Sequence, residues 1–224
     1  MNTFSIKEAL SAGWNLTKGN FGLLLGVMIT LAVISWLPGW VGGALNIKDG
    51  FGVGLLQLIS FVVGALAQLG LIHIALSLVD GKKPAYKELF GQTRFLLPYI
   101  VASILVGLMV IAGLILFIIP GFIVALMVGM YGYHMVDTKA GILASIQGSA
   151  ALTKGYRWQL FGFLLLCAVI NLVGALLFGI GLLITWPTTI LAYAYVYRKL
   201  SGQLIPAVAA PIAPTLIEDL RKTT

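Results

Sequence analysis

Charge is the scarcest property of this sequence. Only 9% of its 224 residues are Asp, Glu, Lys or Arg, where a soluble domain carries about a quarter. Stretches 19–47, 50–79, 95–136 and 158–197 contain none of the four. Apolar blocks of that length exclude a water-facing exterior and read as membrane spans. Cysteine is almost missing too. Cys167 stands alone in an apolar block, which rules out an intrachain disulfide and a cysteine metal cluster. It reads as a small packing residue. All seven acidic residues fall at expected helix ends or in loops. No two carboxylates can then share a buried site within a span, which argues against intramembrane acid–base chemistry. No Ser/His/Asp arrangement, Walker loop or HExxH occurs, and Gly50-x-Gly52-x-Gly54 follows no strand. The expectation is a protein that is not an enzyme and has no catalytic, cofactor or metal site. No short basic segment precedes an apolar core at the start, so no cleaved signal peptide is expected.

What the sequence does have is an ordered distribution of basic residues. The net charge of +7 is dealt out between the apolar blocks rather than gathered into a patch, which speaks for membrane anchoring and against nucleic acid. Six spans are expected, at about 21–37, 53–79, 95–118, 120–136, 158–184 and 187–200. Every Lys and Arg but Lys48 then falls on one side, which puts both termini in the cytoplasm of a bacterial inner membrane. Trp36, Trp40 and Trp186 fall at outer ends and Trp14 and Trp158 at inner ends, as amphipathic rings prefer.

The outer turns are short. Pro120-Gly121 and Pro187 read as turns between spans, since 95–136 must hold two crossings of about 20 residues each. The rival reading makes each proline a kink inside a longer helix. Span four is then only about 25 Å long, with Tyr131, Tyr133 and His134 snorkelling to water.

The chain also repeats itself. Leu16-Thr17-Lys18-Gly19 recurs as Leu152-Thr153-Lys154-Gly155, and Phe21-Gly22-Leu23-Leu24-Leu25 as Phe161-Gly162-Phe163-Leu164-Leu165. A fainter middle copy echoes Lys7-Glu8 as Lys87-Glu88, Leu37-Pro38-Gly39 as Ile119-Pro120-Gly121, and Val79-Asp80 as Val136-Asp137. The unit is an amphipathic helix, a span, a proline turn and a returning span. Its three copies, at about 4–80, 84–137 and 140–200, share one orientation, so their axis lies along the membrane normal. Copy one adds Gly42-Gly43 and 46–54, the one sizeable outer loop expected.

The first amphipathic helix starts at a capping box, Ser5-x-x-Glu8. Ile6, Ala9, Leu10, Gly13, Trp14 and Thr17 recur at helical spacing. It is expected in the headgroup layer, with Trp14 inward and Lys7 and Lys18 toward anionic lipid. Tyr86, Leu89 and Phe90 form the apolar side of the second helix, and Ile142, Ile146, Ser149 and Thr153 the stripe of the third. Residues 201–224 form a Pro/Ala-rich cytoplasmic tail ending in a short helix capped by Thr215 and Glu218.

Polar residues inside the blocks are few. Asn171 lies mid-span, where an unpaired amide is costly. Gln57, Gln68, Thr30, Ser60 and Ser103 are also within spans. They read as interhelical contacts, or as a polar path if several face one cavity. His73 could pair with Asp80 and His134 with Asp137 on one helix face, as a pH-sensitive hydrogen bond or a metal half-site, or each could be a polar side chain near the headgroups bonded to a neighbouring helix. Gly22-x-x-x-Gly26, Gly39-x-x-x-Gly43 and Ala125-x-x-x-Gly129 are close-packing signals.

Leu97-Pro98-Tyr99, Ile119-Pro120-Gly121, Val136-Asp137 before Lys139-Ala140-Gly141, and Leu152-Thr153-Lys154-Gly155 before Trp158-Gln159-Leu160 carry a family resemblance. Over residues 96–200 the chain resembles a group of bacterial inner-membrane proteins. The group includes the YciC-like proteins and the membrane domain fused to some glycerophosphoryl diester phosphodiesterases. The resemblance implies the fold and transfers no catalytic residue; the chain would be the membrane part alone. The expected role is a scaffold or lipid-associated component of envelope homeostasis. Its expected partners are membrane lipids and other membrane proteins or a second copy. The alternative is a small permease or channel with its path on the repeat axis.

Overall fold

In lipid every backbone N–H and C=O must find a partner within the protein, and an uncharged apolar run does this by coiling into a helix. The computed structural model describes residues 4–47, 49–176 and 179–203, and among them there is no strand. The helices are α1 (Ile6–Gly19), α2 (Phe21–Ala44), α3 (Gly50–Val79), α4 (Leu96–Leu116), α5 (Ile118–Val128), α6 (Tyr131–Thr138), α7 (Ile142–Thr153), α8 (Arg157–Leu176) and α9 (Leu182–Leu200). Two 3-10 turns, Tyr86–Phe90 and Thr93–Phe95, lead into α4. Among the described residues four helical stretches are long and apolar enough to cross a membrane: Phe21–Ala44, Gly50–Val79, Tyr86–Leu116 and Arg157–Leu176. The expected tail lies outside the described residues beyond Gln203, as does Lys48.

The proline turns are where the structure differs most. Pro38 lies inside α2 and Pro187 inside α9. Proline forfeits one backbone bond, whereas ending the helix in lipid would free several groups at several kcal/mol each, so the helix runs on. The expected outer loop is shortened accordingly, since α2 runs on to Ala44 and α3 starts at Gly50, with Asp49 capping α3 through Gly52 N–H. The turn between α4 and α5 is Phe117 alone, in extended conformation, and Pro120 sits in the first turn of α5. Two glycines allow so tight a reversal: a Cβ on Gly113 would lie 2.8 Å from Gly121 Cα. Gly174 and Gly181 play the same part between α8 and α9, where a Cβ on Gly181 would lie 2.6 Å from Gly174 O. In the GxxxG motifs of α2, a Cβ on Gly22, Gly39 or Gly43 would meet nothing within 4 Å, and one on Gly26 would touch only the Tyr86 ring, at 3.5 Å.

Span four is two helices. The break at Gly129-Met130 separates α5 from α6. Span six is the buried part of α9, which starts earlier, at Leu182. The element before α4 is a pair of 3-10 turns rather than an amphipathic α-helix.

Most of the burial lies at one end of the hairpins, apart from the reversal glycines Gly121 and Gly174. In α3 the buried residues run from Ala67 to Val79, in α2 they are Leu24 and Val27, and in α9 they run from Pro187 to Arg198. Three connecting elements close this packed end. The 3-10 turn Tyr86–Phe90 packs on α3, α7 on α6, and α1 on α9. Each contact is made at a glycine, and at Gly70 and Gly13 the neighbour is backbone, which leaves no room for a side chain. A Cβ on Gly70 would fall 1.8 Å from Leu89 O, one on Gly148 2.3 Å from His134 Nε2, and one on Gly13 2.4 Å from Thr188 O. In the first two cases the connector packs on the helix that precedes it in the chain. In the third, the connector is α1, and it packs on the last helix, α9.

Candidate functional site

The returning helices α3, α6 and α9 all end at the packed end. Asp80 caps α3, Asp137 lies in the last turn of α6 and Arg198 in the last turn of α9. Arg198 is 7% exposed. Its Nη2 donates to Asp80 Oδ2 at 2.8 Å, and its Nη1 to Asp137 Oδ1 and Gln203 Oε1, each at 2.5 Å. Tyr197 Oη donates to Asp137 Oδ2 at 2.8 Å, and Lys82 Nζ stands 3.8 Å from Asp80. A carboxylate at a helix C-terminus faces the negative end of the macrodipole. The shared guanidinium offsets that for two helices at once, through the planar fork that lysine lacks. Asp80 and Asp137 lie at helix ends, where the sequence reading puts the acidic residues, and Arg198 brings them together there. Both aspartates are turned to Arg198, and neither His73 nor His134 is hydrogen-bonded to them among the described residues.

A second lock holds α1 to α9. Tyr195 Oη donates to Glu8 Oε1 at 2.5 Å and Lys199 Nζ donates to it at 3.1 Å. The Tyr195 hydrogen bond is the largest cause of a Glu8 carboxyl held below its ordinary value, with Lys199 adding to it against the cost of burial. Ser5 makes no side-chain capping bond, so the expected capping box does not form. Further along, Thr188 Oγ1 donates to Thr17 Oγ1 at 3.2 Å. Thr188 lies about 15 Å before Arg198 along α9. Helix α1 thus runs antiparallel along α9 on its Ala9-Gly13-Thr17 face, which is buried. Lys7 and Trp14 stay exposed, and Lys18 stands with its Nζ 4.6 Å from the centre of the Trp14 ring.

The break between α5 and α6 is repaired by α7. Ser149 Oγ donates to Met127 O at 2.8 Å and accepts from Met130 N–H at 3.0 Å, and Thr153 Oγ1 reaches Met127 O at 3.3 Å. Both hydroxyl residues are fully buried.

The candidate polar residues are not gathered in one place. Asn171 lies in the seam between α8 and α9, where its Nδ2 donates to Thr189 Oγ1 at 3.1 Å and its Oδ1 is buried without a partner. Gln57 and Gln68 are exposed on α3, about 16 Å apart along it. Gln57 lines a surface recess at the hairpin tip beside Pro38 and Gly42. His73 pairs with Glu88 at 3.1 Å, and the other Glu88 oxygen accepts from Ala85 N–H at 2.8 Å. His134 Nδ1 is 3.3 Å from Thr138 Oγ1.

The interior between these residues is filled. Tyr195 and Tyr197 are fully buried, and Tyr133 stacks edge-on to Tyr193 at 5.3 Å. The internal void among Leu24, Leu71, Trp186 and Leu191 measures about 10 Å³, at the lower limit for one water. Larger recesses open sideways. One of about 630 Å³ lies between α5 and α8, and one of about 390 Å³ runs along Ala32, Val33, Trp36, Leu37 and Trp40 of α2.

Among known proteins, uncharacterized proteins of Mycobacterium bovis and Mycobacterium tuberculosis are similar to this chain. Each is 28% identical over 146 residues, covering 65% of the chain and 44% of the relative. The match thus spans less than half the length of these relatives. No family model matches the chain. No solved structure matches it.

Proposed function

We propose that this chain is a non-enzymatic, lipid-associated scaffold of the bacterial inner membrane, working in envelope homeostasis with lipids and other membrane proteins as its partners. One observation carries the reading: the axis between the hairpins is packed and tied off by Arg198, while the sizeable recesses face sideways. A solute path needs the reverse arrangement, a polar cavity running through the bundle.

In this reading α2, α3, α4, α8, α9 and the α5–α6 pair make six crossings, with both termini and the basic end in the cytoplasm. The three connector contacts, each at a glycine, support a pseudo-threefold arrangement of hairpins. Trp14, Lys7 and Lys18 meet the headgroup layer. Membership of the YciC-like group is part of the same proposal and rests on the motifs of residues 96–200.

The permease alternative draws on one feature, the interrupted helix at Gly129-Met130, since transporters use such breaks as binding sites. Here Ser149 and Thr153 already occupy the freed backbone groups. The test is purification from native membranes with lipid analysis, alongside flux of ions and small solutes into proteoliposomes. Retained lipid with flux no greater than in protein-free vesicles is expected. Saturable solute flux would overturn the proposal.

A further inference from the structure

We propose that the recess between α5 and α8 seats one anionic glycerophospholipid. Lys154 and Arg157 hold its phosphate, and its acyl chains lie along Phe122, Leu126 and Phe161. The inference rests on the lipid-associated reading and names the ligand class and the site.

The recess is graded as an amphiphile is graded. Its mouth is made by Lys154, Gly155 and Arg157, at the joint where α7 ends and α8 begins. Beyond the mouth the lining is apolar and aromatic. Trp158 meets Phe161 edge-on at 6.2 Å, and Phe161 meets Phe122 edge-on at 5.1 Å, which makes one continuous wall. Its volume of about 630 Å³ falls in the range of about 300–1,000 Å³ typical of small-molecule sites.

The charge at the mouth is uncompensated. Neither Lys154 nor Arg157 takes part in an ion pair among the described residues. The Arg157 Nε is buried with no hydrogen-bond partner. A phosphate oxygen is the acceptor that the guanidinium fork suits best. The α2 recess has no basic residue in its lining, so it offers no equivalent hold on a headgroup.

In this reading the mouth also lies at the end of a span, where headgroup phosphates are: both Arg157 and Phe21 open apolar helices long enough to cross a membrane. The Leu-Thr-Lys-Gly sequence stands before each. A free phosphate would leave the aromatic wall unused, and a soluble peptide would have to reach a surface that faces lipid.

The test uses the full chain in zwitterionic phosphatidylcholine nanodiscs containing a small fraction of phosphatidylglycerol brominated on its acyl chains. Bromine quenches nearby indole emission, and Trp158 is isolated as the difference between the wild type and Trp158→Phe. Quenching is expected to saturate at a phosphatidylglycerol fraction far below that needed with brominated phosphatidylcholine. Replacing both Lys154→Gln and Arg157→Gln should raise the half-saturating fraction by about twenty-five-fold, from about fivefold for each charge lost. Arg157→Lys, which keeps the charge but loses the fork, should fall between the wild type and the double variant.

Equal quenching by the two lipids in the wild-type protein overturns the proposal, and this comparison needs no variant to fold. Unchanged quenching in the double variant overturns it as well. So does loss of quenching when a second copy shares the disc, because the recess is then an interface between copies. If headgroup preference is absent but lipids of every class stay bound on extraction, only this site falls. If no lipid is retained, the broader reading falls with it.

Discussion

Arg198 reaches Asp80 at 2.8 Å across 118 residues of sequence, and the same guanidinium holds Asp137. Removing one member of a buried ion pair leaves a charge without a partner, which costs about 3–5 kcal/mol. Arg198→Met is expected to destabilise the fold by about that much, because it strands two carboxylates. The triple variant Arg198→Met, Asp80→Asn, Asp137→Asn should recover most of the loss, as desolvation then disappears with the attraction. Unfolding in detergent, followed by circular dichroism, measures both. A single variant as stable as the wild type would show that the three helix ends do not depend on this contact.

Among the described glycines Gly70 leaves the least room for a Cβ, with Leu89 backbone where a side chain would go. Backbone cannot swing aside as a side chain can. Gly70→Ala should therefore cost about 3 kcal/mol or expel the Tyr86–Phe90 turn from α3. Gly19→Ala, where a Cβ meets nothing within 4 Å, is the matched control and should leave stability unchanged. Proteolysis at Lys82, Lys83 and Lys87 reads the displaced turn directly.

Glu8 makes the α1 lock sensitive to acid. Its folded carboxyl sits below the ordinary value of 4.5, chiefly through the Tyr195 hydrogen bond. The unfolded chain then binds the proton more readily, so stability rises with pH across this window. The contribution is complete above about pH 4.5 and is lost as the pH falls through the depressed folded value. Glu8→Gln should flatten that acid limb and leave the slope near pH 7 unchanged. A melting-temperature series from pH 3 to 7 checks it, and parallel acid limbs would rule the lock out.

Ser149 completes two backbone bonds at the α5–α6 break. Ser149→Ala strands the Met130 N–H and weakens the hold on Met127 O, at a cost of about 1–3 kcal/mol. Ser149→Thr keeps the hydroxyl and should lose less. Faster hydrogen exchange at the Met130 amide in the alanine variant is the specific readout. Unchanged exchange there would mean that the break is held by other groups.

Some of this was legible from residue order. The four uncharged runs did become the apolar helices, since length without charge is a local property. Leu16-Thr17-Lys18-Gly19 and Leu152-Thr153-Lys154-Gly155 do each precede such a helix. Pro38 and Pro187 were misread as turns, because a helix in lipid carries a proline more cheaply than it ends. The reversals went instead to Phe117 and to glycines that can touch across a hairpin. Asp80, Asp137 and Arg198 read singly as helix-end or loop charges, and nothing local reveals that they meet. Lys154 and Arg157 read as ordinary anchors for the same reason: their recess has one wall on α5, more than 25 residues earlier.

Residue order alone determined that this chain is helical and that its long uncharged helices belong in a membrane, because the transfer of an apolar segment out of water depends only on the segment. The tertiary structure alone decided which charges are paired, which are left open to a ligand, and where the hairpins are sealed. Those outcomes depend on distances between helix ends, which no stretch of sequence contains.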